Sequence, residues 1–336
     1  MMTDRKLGEF ELIERFFAPL ATGQGAAGLK DDAAAYTPQP GHDLVISKDM
    51  LASGVHFFPD DPPEAVAAKA LRVNLSDIVS KGARPTGYVL GLGLGADMPE
   101  NWVERFCAGL AADQERYDIS LLGGDTISTG GKIVLSVTLF GEMPSDGIVR
   151  RTTAQAGDLI FFSGTLGDSS LGLQLRLKPE LAEISGLSHE DLAYLKQRYL
   201  LPEPRTAGYS AVARFAAASM DVSDGLAADL GHMCRAAGLI ADVTVESLPL
   251  SGAARRWLEA DQNIWPWIVS GGDDYELLCA VRPRDRDAFL AAMRETGTHV
   301  TEIGRFGLQD DADPGVRFNK GGTVVAVEGP GGYRHV

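Results

Sequence analysis

The chain has 336 residues, 45% hydrophobic and 23% charged, a balance that excludes a disordered chain, a collagen-like repeat or a disulfide scaffold. At roughly 100–200 residues per domain, the length predicts two domains. Lys+Arg number 31 against 46 Asp+Glu, a formal net charge of −15; with no basic run, such a surface repels nucleic acid and anionic lipid.

Phe10, Leu12, Ile13, Phe16, Phe17 and Leu20 recur at helical intervals, which predicts an amphipathic helix at the start. Leu44–Ser47 reads as a short strand. Asp61-Pro62-Pro63 reads as a helix start, with Asp as cap and Pro in the first turn, and the helix stops at Gly82. Tyr88–Leu94 reads as strand, Pro99–Arg116 as helix and Lys132–Gly141 as strand. The turn formers Pro144-Ser145-Asp146-Gly147 then predict a boundary, dividing the chain into domains 1–147 and 148–336. Beyond it, Asp158–Ser163 reads as strand and Gly167–Leu177 as helix, and another helix ends near Leu201. Ala207–Ala218, Gly225–Ala237 and Arg284–Glu295 follow as helices, with strands near 240–245, 275–281 and 299–304, and Trp267–Ser270 is strand-like. The alternation predicts an α/β (α+β) fold class.

The cysteines Cys107, Cys234 and Cys279 are widely spaced, which argues for a reducing compartment and against a paired-cysteine zinc site. The N-terminus lacks a signal-peptide core, and no window approaches the ~18–20 apolar residues of a membrane span. The expectation is a cytoplasmic protein with neither nucleic acid nor membrane as partner.

The unusual feature is a set of carboxylates at element ends, beside glycine and small residues. They are Asp31-Asp32, Asp49 closing the Ile46–Asp49 strand, and Asp77 with Asn74 one helical turn before it. Asp125 follows in Gly123-Gly124-Asp125, then Asp221 and Asp224 around Val222-Ser223, and Asp273-Asp274 after Gly271-Gly272. Each alone is what a turn or cap needs. Six such placements, several ending apolar strands, point to a ligand site, because ligands collect at strand ends in α/β proteins. Two carboxylates about 4 Å apart repel by roughly 4 kcal/mol at an effective dielectric near 20. A hard cation such as Mg²⁺ offsets that repulsion, and the neighbouring glycines let backbone amides approach phosphate. The residues therefore predict a magnesium–phosphate site, with His56 as a candidate ligand contact.

Three motifs do not support rival chemistries. Gly91-Leu92-Gly93-Leu94-Gly95-Ala96 lies inside strand alternation rather than opening a helix, so it is not a dinucleotide fingerprint. Gly130-Gly131-Lys132-Ile133 lacks the earlier glycine and following hydroxyl of a P-loop. His189-Glu190 lacks the second histidine of a zinc protease.

Taken in order, KDDAA, ISKDMLASGVHF, VNLSDIVSKGA, LLGGDT, DVSDGLAADL and SGGDDYEL resemble the thiamine-monophosphate kinase family. That family sits in the ATP-binding superfamily of aminoimidazole ribonucleotide synthetase, selenophosphate synthetase and HypE. The resemblance runs from GEFELIERFF to GGYRHV. It implies a two-domain PurM-like fold, with the N-terminal sheets of two chains joined into a dimer barrel and a C-terminal α/β domain. It also implies ATP-dependent phosphorylation of thiamine monophosphate to thiamine diphosphate, with Mg²⁺ as cofactor and a homodimer as the assembly. By the resemblance, the magnesium ligands fall on Asp32, Ser47, Asp49, Asp77, Asp125, Asp221 and Asp224. Nucleotide contacts fall on Gly124, Asp125, Arg151 and Ser223, and substrate contacts on His56, Asp273 and Tyr333; Asp77, Asp125 and Arg151 form the catalytic set. Lys48 stands where the family often has Thr, and Asp273 where it has Glu. Selenophosphate synthetase requires a reactive N-terminal cysteine, whereas the first here is Cys107; HypE requires a cysteine-bearing tail. Aminoimidazole ribonucleotide synthetase lacks the GVHF segment, and a silent nucleotide-binding regulator is favoured by Lys48 alone.

Overall fold

The computed structural model describes residues 8–95, 98–308 and 313–325. They fall into two compact units. One holds the described residues up to Ile78 together with Arg84–Asp146; the other holds Val79–Ala83 with the described residues from Gly147 onward.

The first unit opens with a short helix, α1 (Glu9–Leu12), which passes into a π turn over Ile13–Phe17 and a 3₁₀ turn over Ala18–Leu20. The predicted amphipathic helix is thus helical throughout but not one regular α-helix; Pro19 lies in the final turn, where its missing N–H is tolerated. Then come β1 (His42–Ala52), α2 (Pro63–Ser80), β2 (Arg84–Leu94), α3 (Glu100–Tyr117), β3 (Ser120–Ser128) and β4 (Val134–Pro144). The sheet order is β1-β4-β2-β3, with β4 antiparallel to both neighbours and β2 parallel to β3. Side chains alternate across it. Val45 and Leu51 of β1 and Leu135, Val137 and Leu139 of β4 are buried, whereas Ile46, Lys48 and Met50 between them are exposed. The sheet therefore has one packed face and one open face. A two-pronged Arg72–Asp113 ion pair, with both contacts at 2.8 Å and both side chains buried, ties α2 to α3.

The second unit runs β5 (Leu159–Ser163), α4 (Asp168–Leu177), α5 (Leu181–Ile184), α6 (His189–Leu200), α7 (Tyr209–Phe215), β6 (Ala216–Val222), α8 (Leu226–Ala237) and β7 (Leu239–Thr244). It continues with α9 (Gly252–Ala260), α10 (Trp265–Ser270), β8 (Glu276–Val281), α11 (Arg286–Glu295), β9 (Val300–Leu308), β10 (Gly315–Lys320) and β11 (Thr323–Val325). Its seven strands are ordered β11-β10-β7-β9-β5-β8-β6, and only β10–β7 is a parallel pair. Both faces are packed. Neighbours on β5 point opposite ways: Phe162 joins the cluster with Leu226, Met233 and Trp257, and Phe161 the cluster with Phe289 and Met293.

Three sequence expectations are corrected. The alanine-rich 207–218 stretch is helix only to Phe215, and β6 begins at Ala216, because antiparallel pairing with β8 overrides alanine's helical preference. Trp267–Ser270 is helix: Pro266 in the first turn of α10 presets it. Asp49 and Asp125 lie within strands, since β1 runs on to Ala52 and β3 to Ser128. No helix among the described residues is long and apolar enough to cross a membrane, and all three cysteines are buried and free.

Candidate functional site

In the first unit, α2 lays Asn74 and Asp77 beside β1. Asn74 Oδ1 accepts the Asp49 N–H at 3.0 Å, and the Asn74 amide donates to Ala70 O, so the side chain is fixed at both ends. Ser47 donates its hydroxyl to Asp77 at 2.5 Å. From Ala65 to Ser80, Asp77 is the one residue that is not buried, so its carboxylate marks an opening in an otherwise covered helix. Asp49 and Asp77 are in hydrogen-bond contact. Burial, then the charge of Asp77 and that hydrogen bond, push the Asp49 carboxyl up to about 6, against the opposing pull of Lys48. Ser47 and Asp49, two residues apart on β1, thus share a face with Asp77 of α2. They offer only oxygen donors, which suits a hard divalent cation that keeps part of its water shell. No group of three His, Cys, Asp or Glu among the described residues could hold an ion on its own, so an ion here would draw further oxygens from substrate and solvent.

Lys48 does not join that pair. Strand alternation turns it to the open face, where its ammonium donates to Ser136 at 2.8 Å. Asp125 does not join it either. The register aligns Met50, Ser136, Gly91 and Asp125 across the four strands, one residue out of step with Asp49, Val137, Leu90 and Gly124. Asp49 and Asp125 therefore lie on the two edge strands with opposite facing. Asp125 instead lines a cavity of about 380 Å³ with Asp32, Gly124 and Thr126, closed on its apolar side by Phe17, Leu90 and Leu121. Gly124 has a steric reason: a Cβ there would lie 2.1 Å from the Leu90 carbonyl oxygen. His56 sits in the tight turn after β1. Its Nδ1 accepts the Ala52 N–H at 3.0 Å, which places the proton of the neutral ring on Nε2 and makes that nitrogen a donor.

In the second unit, two loops meet. Asp221, buried, is the last residue but one of β6, and Ser223 and Asp224 follow before α8. Asp229, in the first turn of α8, turns back and accepts the Ser223 and Asp224 N–H groups at 3.0 and 2.9 Å. Burial pushes its carboxyl up to about 7, with the Asp224 charge adding to this and the backbone donors opposing it. The 271–275 loop then zips onto 222–223: the Asp273 N–H donates to Ser223 O and the Tyr275 N–H to Val222 O, both at 2.8 Å. Asp273 is half-buried and accepts from the Tyr275 hydroxyl at 3.2 Å.

Arg151 is exposed in the turn after residue 150, which Thr153 anchors by donating to Arg150 O and Ala217 O. Its charge reaches His232, whose titration is pushed down by burial first, then by Arg235 and Arg151. Tyr333 lies outside the described residues.

Sequence reasoning missed Asp229, and it singled out the Asp273-Asp274 pair but gave Asp274 no role. Asp229 was legible as an acidic residue in a helix's first turn, where it can serve upstream N–H groups. What Asp274 binds gave no signal, because its partners are 107 and 105 residues away in sequence. Asn74, read only as a neighbour of Asp77, proves to anchor the backbone of Asp49.

Residues 30–143 match the family described as AIR synthase related protein, N-terminal domain, and residues 155–327 match its C-terminal domain. A thiamine-monophosphate kinase of Caulobacter vibrioides is 43% identical over 304 residues, covering 89% of this chain and 84% of that one. The crystal structure of a thiamine-monophosphate kinase from Stenotrophomonas maltophilia superposes with a TM-score of 0.82 at 37% identity, over 93% of this chain and 96% of that chain. AaThiL complexed with AMPPCP and TMP gives a TM-score of 0.76 at 33% identity over the whole of both chains. With this similarity in sequence and fold along nearly its full length, the chain belongs to the thiamine-monophosphate kinase family.

Proposed function

We infer that the chain transfers the γ-phosphoryl group of ATP to the phosphate of thiamine monophosphate, releasing thiamine diphosphate and ADP. This is the last step of thiamine diphosphate biosynthesis. The observation that carries the reading is family membership along nearly the whole chain, with a relative of full-length similarity complexed with AMPPCP and TMP.

The assignment of roles is our proposal. Asp32, Ser47, Asp49, Asp77, Asp125, Asp221 and Asp224 hold Mg²⁺; Gly124, Asp125, Arg151 and Ser223 contact the nucleotide; and His56, Asp273 and Tyr333 contact thiamine monophosphate. The division of labour follows the domains, with 1–147 binding ATP and metal and joining two chains, and 148–336 completing the nucleotide and substrate site. The all-oxygen Ser47–Asp49–Asp77 group supports the metal assignment. When bound, Mg²⁺ neutralises phosphate charge and polarises the transferring group.

The chain's own residues do the positioning. Gly124, whose missing side chain lets β3 lie close against β2, lines the cavity beside β3 with its backbone. His56 presents a fixed N–H donor. Arg151 supplies a guanidinium for the nucleotide phosphates. The attacking phosphate oxygen is already largely ionised near neutral pH, so no strong general base is required; alignment and charge neutralisation carry the reaction. Two polyanions meeting on a chain of net charge −15 make that neutralisation the dominant demand.

The assembly we propose is a homodimer. The open face of the four-stranded sheet exposes Ile46 and Met50 on β1, either side of Lys48, and Ile127 on the opposite edge strand β3, apolar side chains that a second copy would cover. Three free, buried cysteines support a cytoplasmic location. ATP labelled in its γ-phosphate tests the transfer itself. The label is expected in the terminal phosphate of thiamine diphosphate; label appearing only as inorganic phosphate contradicts the reading.

A further inference from the structure

The 270–276 segment holds a conformational cost that the chain does not relieve with glycine. Asp273 and Tyr275 both sit in the left-handed region, at φ +69° and +50°, and between them Asp274 is fully buried. Non-glycine residues keep such angles only where their surroundings over-determine them, and they cluster at ligand sites.

The surroundings here are specific. Asp274 turns its carboxylate onto the start of α4, accepting the Gly167 N–H at 2.7 Å and the Ser169 N–H at 3.4 Å. These are donors that a helix start leaves without intrahelical partners. On either side, the Asp273 and Tyr275 N–H groups point the other way, to Ser223 O and Val222 O. The loop is therefore clamped alternately to α4 and to the 221–225 segment. The clamp is tight enough to select glycine around it: a Cβ on Gly272 would lie 2.2 Å from Ser223 O, and one on Gly225, at φ +105°, would lie 2.8 Å from Gly271 O.

We propose that Asp274 is a positioning residue for thiamine monophosphate: by fastening the loop to the N-terminus of α4, it fixes Asp273 and Tyr275 in the left-handed conformations that present the Asp273 carboxylate to the substrate. The proposal rests on the reading of Asp273 as a substrate contact, and Asp274 itself touches no substrate. An amide in place of the Asp274 carboxylate offers one carbonyl to two N–H donors and turns an NH₂ toward the other, so the loop loses one of its two anchors on that side.

Steady-state kinetics of purified D274N and D273N test both levels. D274N is expected to raise the KM for thiamine monophosphate about ten-fold or more while the KM for ATP stays within about two-fold. A general loss of packing would not divide the two substrates in that way. If D273N raises the KM for thiamine monophosphate and D274N does not, the positioning role is overturned and the substrate contact stands. If D273N leaves that KM unchanged, the contact reading fails and takes the proposal with it. Hydrogen exchange on the unaltered protein gives an arm that needs no variant. Thiamine monophosphate is expected to slow exchange at the Gly167 and Ser169 amides, because a ligand that orders the loop also orders its anchor. Unchanged exchange at those amides on saturation would overturn the proposal.

Discussion

Ser47 and Asp77 are joined by a 2.5 Å hydrogen bond from a strand hydroxyl to a helix carboxylate, and Asp49 stands in contact with the same carboxylate. The cluster concentrates negative charge where burial already opposes it, an arrangement suited to binding a cation and costly without one. Asp77→Asn removes one charge and keeps the shape. In EDTA the variant is expected to melt about 2 °C or more above the parent, a shift of the size that ~1 kcal/mol gives in a domain this large. Its turnover with Mg²⁺ is expected to fall on the order of 100-fold or more. Calorimetry and initial rates on the same preparation check both, and near-normal rates would remove Asp77 from the catalytic set.

Gly124→Ala tests whether the cavity beside β3 serves the nucleotide. The added methyl must displace the Leu90 carbonyl from 2.1 Å, which opens the β2–β3 ladder. Overpacking of this kind costs about 1–3 kcal/mol. The expected outcome is a lower urea midpoint together with weaker ATP binding by titration calorimetry. A loss of stability with unchanged ATP affinity would make Gly124 purely architectural.

Asp113→Ala isolates a structural ion pair from the functional ones. Both partners are buried, so truncation takes both carboxylate contacts from the Arg72 guanidinium and leaves its charge uncompensated by Asp113. Breaking a buried pair typically costs about 3–5 kcal/mol. Urea denaturation is expected to show a loss in that range. The KM values for both substrates, measured where the variant is still folded, are expected to stay at parental levels.

The three thiols give a pH prediction. Burial pushes Cys107 and Cys234 up to about 12 and Cys279 up to about 11. An unfolded thiol ionises near ~8.5, so the folded state holds these protons more tightly. Stability from this source is complete below about pH 8.5 and is lost progressively as the pH rises toward the folded values. Replacing all three by Ala is therefore expected to flatten the fall in thermal midpoint between pH 8 and 10. At pH 8 the native protein is expected to react slowly with a disulfide reagent such as DTNB, and the denatured protein to release three equivalents at once.

Much of this architecture was legible from periodicity, and what was not legible depended on partners distant in sequence. Helices α2, α3 and α8 appeared near their true positions because their apolar spacing is a local signal, as are the glycines after α2 and α8. β6 was read as the tail of a helix because Ala216-Ala217-Ala218 favours helix locally, and only its pairing with β8 makes it a strand. β10 and β11 went unseen because their pairing partners, rather than a local pattern, define them.

The candidate site divides in the same way. The carboxylates stood out by composition and by their glycine neighbours, and the Asn74–Asp77 spacing correctly placed both on one helical turn. Their partition did not stand out: cross-strand register sends Asp49 toward α2 and Asp125 toward the other face. Lys48 looked like an intruder among metal ligands, yet alternation along β1 turns it away toward Ser136.

The transfer to thiamine monophosphate is measured most directly on its product. Purified protein is incubated with ATP, thiamine monophosphate and Mg²⁺, with a parallel sample in excess EDTA, and thiamine diphosphate is separated and quantified against ADP. One thiamine diphosphate per ADP is expected with Mg²⁺ and none with EDTA. ADP without thiamine diphosphate, or no turnover while ATP still binds, would contradict the transfer.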